Sequence, residues 1–520
     1  MAAIAAYRIW KHALLWLGVL LLLMARVPLL WSSGEFVSED GWVFFAGAFN
    51  APWFESIITP FAGYFRFDAR LIAEVVSVLP WAKQPYAYAL VGLSLNAFIF
   101  SLIYLPGFRS VLANDASRAA LVGLLALAPH AENLGLLTGQ HWYLGYALAL
   151  LLLMQMPSGL GGRVGVVLGA SFCAWSSPSA LVLLPFWAWN GFRSGDHFTK
   201  RLSAVVVVQL VLYALAMLVF RGTEGSRSAA FEVGDMAAAA GNLLGRGWLV
   251  SGLAGRGVAE SVVSVAPLLA DGLAVGLLLG IGFGVWRMSL NAWGAPVMFL
   301  GIGALMAVFS LTRTLYLSEL AQLELPRHVR YLTAPTLLLI VGVWLMLGPW
   351  LASRWVKVVF VFQVLAFFWG GLVHENHWAR SPELFRFREH VESIESFERD
   401  FVEAGFVGSL YLPHEIPYWG PVLESAGGAL YSPEAGILDG LNAESDADGV
   451  AQIWLGSFQV LDAPDRMDHA LWGQLTYTGT ELGRIWFVDG AGRQLFTSEL
   501  LYPYAWVVDG LDMTLVSPTD

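Results

Sequence analysis

Glu35, Glu39 and Asp40 fall within one short stretch, Ser32-Ser33-Gly34-Glu35-Phe36-Val37-Ser38-Glu39-Asp40-Gly41-Trp42. A carboxylate held there can take a proton from a hydroxyl acceptor, and a set of carboxylates can hold a divalent cation such as Mg or Mn. The same residues fit a second role. Ser38 suits a helix N-cap, with Glu39 and Asp40 in the first turn, where acids are favoured by the helix dipole. Spacing alone leaves both roles open. If Ser38 begins a helix, successive residues rotate by about 100°, so Glu39 and Asp40 cannot both face one substrate atom. Asp40 is the shorter and stiffer carboxylate and is expected to carry any proton transfer, with Glu39 as cap or supporting partner.

The basic residues that could meet a phosphate come later. Gly63-Tyr64-Phe65-Arg66-Phe67-Asp68-Ala69-Arg70 places Arg66 and Arg70 four residues apart, on one face of a helix, and guanidinium groups donate paired hydrogen bonds to phosphate oxygens. The alternative is a surface ion pair, Arg66 with Asp68 or Arg70 with Glu74. A second cluster, Arg327-His328-Val329-Arg330-Tyr331, is either a phosphate contact or an interfacial anchor, since Arg and Tyr both favour headgroup depth. Glu132, in Pro129-His130-Ala131-Glu132-Asn133, and His141, in Gly139-Gln140-His141-Trp142-Tyr143, stand at the lips of apolar segments, where polar groups usually face a cavity. A lone histidine at such a lip is more often a hydrogen-bonded residue than a ligand. His374-Glu375-Asn376-His377 lacks a third metal ligand at a set spacing. The sequence contains no Walker loop, dinucleotide fingerprint, nucleophile elbow or zinc-type Cys/His set, which removes support from ATP-driven transport and soluble-type hydrolase chemistry.

These groups must be positioned by a membrane scaffold. The chain has 520 residues, of which 57% are hydrophobic and 13% charged, more apolar surface than a water-soluble core hides. Apolar runs near the roughly 20 residues needed to cross a bilayer recur along the first part. They place about eleven spans, near 12–30, 86–107, 117–130, 143–156, 164–177, 179–192, 202–220, 268–286, 293–311, 331–348 and 356–373. The first lacks a clear signal-peptide cleavage site and is read as a retained helix. Ser176-Ser177-Pro178-Ser179 interrupts one long run, and merging the two pieces would invert the sidedness of everything downstream. With a cytoplasmic N-terminus the short inner turns collect Arg8, Lys11, Arg109, Arg118, Arg163, Arg193, Lys200, Arg201, Arg287, Arg354 and Lys357, as the positive-inside rule requires. The expected arrangement is a helical transmembrane domain over 1–375, with a first outer loop at 31–85, and a soluble extracytoplasmic domain over 376–520, all in the plasma (inner) membrane. The net charge of −11 hides two halves: from His374 onward there are 24 acidic residues and 7 Arg, against 16 acidic and 22 basic residues before it. An acidic soluble part excludes nucleic acid as an expected partner. The tail reads as β-rich or α/β, a charged helical stretch at Pro382 to Ala404 followed by alternating segments and Asp-Gly turns at 489–490 and 509–510. Its Trp and Tyr residues, among them Trp454, Trp486 and Trp506, are read as core or as sugar-stacking surfaces. Cys173 is the single cysteine, so no intrachain disulfide forms.

With an acidic pair, Glu39-Asp40, in a first outer loop, many spans and a C-terminal extracytoplasmic tail, the chain resembles the GT-C superfamily of integral membrane glycosyltransferases. The resemblance implies a donor sugar carried on a polyprenyl phosphate and a glycan, lipid or protein acceptor. It further implies inversion at the anomeric carbon, Asp40 as catalytic base with Glu39 or Glu35 assisting, and Arg327 or Arg330 against the lipid phosphate. The competing expectations are a transporter or flippase for a lipid or polar solute, and a non-catalytic envelope assembly protein whose tail binds a partner.

Overall fold

The computed structural model describes residues 2–37, 40–61, 64–129, 133–221, 239–288, 294–313, 329–350 and 353–373, together with nine short strands between Ser409 and Val516. The chain divides into two units, one of Met1–Ser33, Gly63–Ile72 and Pro85–Pro382, the other of Gly34–Ala62, Ala73–Gln84 and Glu383–Asp520.

The first unit is helical. In chain order it contains α1 (Ala2–Arg26), the start of α2 (Phe67–Val76), α3 (Gln84–Ser101), α4 (Asp115–Leu127), α5 (Gln140–Leu151), α6 (Leu160–Ser176), α7 (Leu184–Arg193), α8 (His197–Arg221), α9 (Arg256–Val265), α10 (Pro267–Arg287), α11 (Gly294–Arg313), α12 (Thr333–Leu347) and α13 (Arg354–Val373). Among the described residues three helices are long and apolar enough to cross a membrane: Trp81–Tyr104, His197–Phe220 and Pro267–Arg287, of 24, 24 and 21 residues. Their outer faces are apolar. Val208, Leu212, Leu215 and Val219 recur at helical spacing on the exposed side of α8, and Leu268, Val275, Leu279 and Phe283 do so on α10. Such stripes are stable only against an apolar solvent, which makes this a membrane-associated helical protein.

Helix ends are set by local chemistry. Asn114 caps α4, its side-chain oxygen accepting from the Ala116 N–H at 2.8 Å. Asp196 caps α8 by accepting from the Thr199 N–H at 2.8 Å and its hydroxyl at 2.7 Å. Arg26, at the end of α1, donates to the carbonyls of Ala126 and Ala128 and so satisfies the C-terminal end of α4. The expected third and fourth spans are short: α4 has 13 residues and α5 has 12, and all twelve of α5 are buried.

The interruption at Ser177-Pro178 is present and sharp. α6 and the segment Pro178–Arg193 are bent by 114° relative to each other. Proline has no N–H to extend a helix and forces the preceding residue out of the helical region, and Ser177 sits at φ −125° and ψ 112°. Pro178–Leu183 forms a tight 3₁₀ stretch packed against α5, α8 and α11, and α7 follows it.

In the second unit, Asp40–Phe45 forms a wide, π-helical turn and Ala46–Asn50 and Trp53–Ile58 form short helices. The strands are β1 (Ser409–Tyr411), β2 (Val422–Glu424), β3 (Leu441–Glu444), β4 (Val450–Leu455), β5 (Gly473–Tyr477), β6 (Ile485–Val488), β7 (Gln494–Ser498), β8 (Ala505–Asp509) and β9 (Asp512–Val516). All pairings are antiparallel, in the orders β1-β2, β3-β4-β5, β6-β7 and β8-β9. β8 pairs with β9, Asp509 opposite Asp512, and β6 pairs with β7; of the expected Asp-Gly turns, Asp489, Gly490 and Gly510 lie outside the described residues. The expected helical stretch at Pro382 to Ala404 lies outside the described residues.

Candidate functional site

Asp40 is the first residue of the π-helical turn, its N–H bonded to the Val37 carbonyl at 3.2 Å. Its relative exposure is 3%, and Glu35 is buried as well. Aromatic packing fixes this turn. Phe45 meets Phe36 at 4.8 Å and the edge of Trp81 at 5.8 Å, Phe49 lies 5.3 Å from Trp81, and Phe44 meets Phe61 at 6.2 Å. Gly34, at φ 76°, supplies the left-handed residue that begins the segment. A wide turn of this kind is rare in proteins and concentrates at functional sites. Ser38 and Glu39 lie outside the described residues, so the capping alternative and the supporting role of Glu39 do too.

The two loop arginines, in the first unit, do not point into bulk solvent. Arg66 and Asp68 are both fully buried; the Arg66 Nε lies 3.4 Å from Asp68 Oδ1, and its Nη2 donates to the Leu137 carbonyl at 2.6 Å. The expected alternative of a surface pair is therefore corrected: the pair forms, but inside the protein. Its cause is the start of α2 at Phe67, which carries Asp68 inward, while Tyr213 anchors the preceding residue by donating to the Phe65 carbonyl at 3.0 Å. Burial pushes the Asp68 carboxyl above its usual range against the pull of Arg66. Burial opposes the charge on Arg66, but Asp68, Tyr64 and Tyr213 together offset it and hold the guanidinium above its ordinary value. Arg70, one turn on, is also buried, and its N–H bonds to the Arg66 carbonyl at 3.0 Å.

Arg66, His141 and Tyr331 come into one neighbourhood of the first unit. Leu137, which accepts from Arg66, precedes His141 by one turn, and the Tyr64 ring lies 6.0 Å from the His141 ring. The Trp142 ring lies 4.5 Å from that of His141, tilted by 40°, and meets Tyr331 edge-on at 5.7 Å. His141 Nδ1 lies 2.9 Å from the Thr138 carbonyl, which can only accept, so this nitrogen is the donor of that contact. The Asn133 amide donates to the Thr333 hydroxyl at 2.7 Å and ties this segment to the start of α12. Beneath it, Gln140 and Asn96 exchange hydrogen bonds, and Asn96 accepts from the Gly135 N–H at 2.9 Å. None of these long-range amide contacts carries a local sequence signal; only the glycines that permit the close approach hint at them. Glu132 and Arg327 lie outside the described residues, as does His374-Glu375-Asn376-His377, and Arg330 is described by its backbone, in the 3₁₀ turn Val329–Leu332.

Among the described residues no three His, Cys, Asp or Glu side chains converge on a point. Compared with protein-family profiles, with curated proteins and with solved structures, the chain finds no match in any of the three.

Proposed function

We infer that the protein is a multi-pass membrane glycosyltransferase of the GT-C kind, moving a sugar from a polyprenyl-phosphate donor to a glycan, lipid or protein acceptor on the extracytoplasmic face. The observation that carries this reading is the burial of Asp40 on a rigid, aromatic-packed π-helical turn just beyond the first helix. Withdrawing a carboxylate from water is costly, which makes a buried one in a loop a candidate for function. In the reaction, Asp40 accepts the proton of the acceptor hydroxyl as its oxygen attacks the anomeric carbon. The bond from that carbon to the phosphate oxygen breaks, the pair of electrons leaves with polyprenyl phosphate, and the configuration inverts. Arginine stabilises the departing phosphate. Arg66 is held by Asp68 and the Leu137 carbonyl, and we assign that role to Arg70, Arg327 and Arg330. About eleven spans, a cytoplasmic N-terminus, the plasma (inner) membrane and a soluble extracytoplasmic tail built on β1–β9 complete the proposal.

Asp40→Asn and Glu39→Gln keep shape and remove charge. With a lipid-linked donor that the wild type uses, Asp40→Asn should lower transfer by about 10²-fold or more and Glu39→Gln by less. Equal turnover of Asp40→Asn and wild type sinks the assignment. The 114° break after α6 favours a second reading, a transporter or flippase, because broken helices build substrate sites in transporters. Solute or lipid movement by the protein in proteoliposomes, unaffected by Asp40→Asn, would select it.

A further inference from the structure

The break after α6 collects oxygen atoms. Pro178 lacks an N–H, so the Ala174 carbonyl loses the donor that would lie four residues on, and the last-turn carbonyls of α6 end at the bend with the negative end of the helix dipole. Ser176, the final residue of α6, is fully buried, and among the described residues its hydroxyl has no hydrogen-bond partner. Ser177 and Ser179 are bonded to each other at 2.9 Å. The backbone of α5 presses close: a Cβ added at Gly145 would stand 2.4 Å from the Ser179 hydroxyl and 2.9 Å from that of Ser177.

A carboxylate approaches the same helix face. Phe172, Cys173 and Ser176 share one side of α6 by their spacing of three and four residues. The Phe67 ring meets Phe172 at 6.1 Å, and the Asp68 carboxylate is within electrostatic reach of Cys173. Asp68 gives one oxygen to Arg66; among the described residues Oδ2 has no hydrogen-bond partner. The bend thus gathers acceptor atoms, with the Arg66-paired Asp68 carboxylate acting on the Cys173 side of the same helix, and such a group is complemented by a small cation. A divalent ion takes several carboxylates, and zinc takes nitrogen and sulfur, whereas freed carbonyls and hydroxyls beside a helix C-terminus are the surroundings in which sodium binds.

The geometry points to a sodium site at the bend after α6, ligated by the Ser176 hydroxyl and the last-turn carbonyls of that helix, with Asp68 as the nearby countercharge. This site uses none of the residues assigned to the Asp40 chemistry. Its occupation would hold the two halves of the broken helix at their observed angle.

Binding of radiolabelled sodium to the purified full-length protein in detergent, with choline as the background cation, tests the site. The wild type should bind saturably, with displacement by unlabelled sodium and not by choline. Ser176→Ala should weaken binding by about tenfold, the worth of one ligand to a charged group, while Ser176→Thr, which keeps the hydroxyl, should restore most of it. Asp68→Asn should weaken binding further, and if that variant does not fold, the Ala and Thr pair decides. Asp40→Asn should bind sodium as the wild type does, so the sodium site and the transferase reading fail separately. No saturable binding, or equal affinity in folded Ser176→Ala and wild type, overturns the proposal.

Discussion

At the scale of single residues the informative contrast lies between Asp40 and Asp68. Both are buried and both belong to the segment between the first helix and α3, but Asp68 is held against a guanidinium whose other contact is the Leu137 carbonyl. A buried ion pair contributes little net stability while intact, and removing one partner strands the other. Arg66→Met should therefore destabilise the protein by about 3–5 kcal/mol, whereas the double variant Arg66→Met with Asp68→Leu should recover most of that loss; thermal unfolding in detergent measures both. If the double variant is as unstable as the single one, the pair is not the source of the cost. The sequence made Arg66–Asp68 legible as a pair, because the two are adjacent in spacing. It could not show the burial, which depends on Leu137 and Tyr213, remote in the chain. At Asp40 the sequence showed a cluster of acids beyond the first apolar run, and the burial of that residue on a π-helical turn carried no local signal.

At the scale of elements, two features turn packing into measurable effects. A Cβ on Gly92 of α3 would stand 2.1 Å from the Gly135 carbonyl oxygen, a backbone atom held by a residue at φ 74° and by the bond from its N–H to Asn96. Neither side can yield without breaking the Asn96–Gln140 exchange, so Gly92→Ala should cost about 1–3 kcal/mol or more, and denaturant or thermal midpoints should fall accordingly. The second is the cap of α8. The Thr199 hydroxyl and N–H hold the exposed Asp196 carboxyl below its usual range. A group whose folded value is lowered stabilises the native state above its unfolded value, about 3.9, and that contribution disappears as the pH falls through the folded value. The protection of amides in the first turn of α8, relative to their intrinsic exchange at each pH, should accordingly fall at low pH in the wild type. Asp196→Ala should exchange fast at neutral pH and lose this dependence. Elements themselves were mostly legible, since apolar runs and breakers such as Pro178 act locally; α4 and α5 came out shorter than their runs because tertiary packing, and not length, hides their apolar residues.

At the scale of the whole molecule, sidedness follows from how the break after α6 is counted. A helix rises about 1.5 Å per residue, so α6 and α7, of 17 and 10 residues, reach only about 25 and 15 Å, less than a hydrocarbon core. A chain that turns by 114° between two such pieces heads back toward its entry side, which preserves the parity of two short spans and disfavours one straight one. The residues before α6 and after α7 should share the cytoplasmic side, and Asp520 should lie opposite. Cys173 is the sole cysteine and is buried, so a cysteine placed at Gly195 reports cleanly. An impermeant maleimide should label it from the cytoplasmic side only, and a cytoplasm-dependent reporter fused to the C-terminus should be silent. Labelling from outside, or an active reporter, refutes the topology. The complete enclosure of α5 has a consequence for biogenesis. A twelve-residue helix with no lipid-facing side cannot partition into the bilayer by itself as it leaves the insertion machinery, because it is too short to span and its polar members Gln140 and His141 would meet lipid undressed. It has to wait for α3, α6 and α12 to be threaded on either side, so the centre of this protein is among the last parts of it to mature.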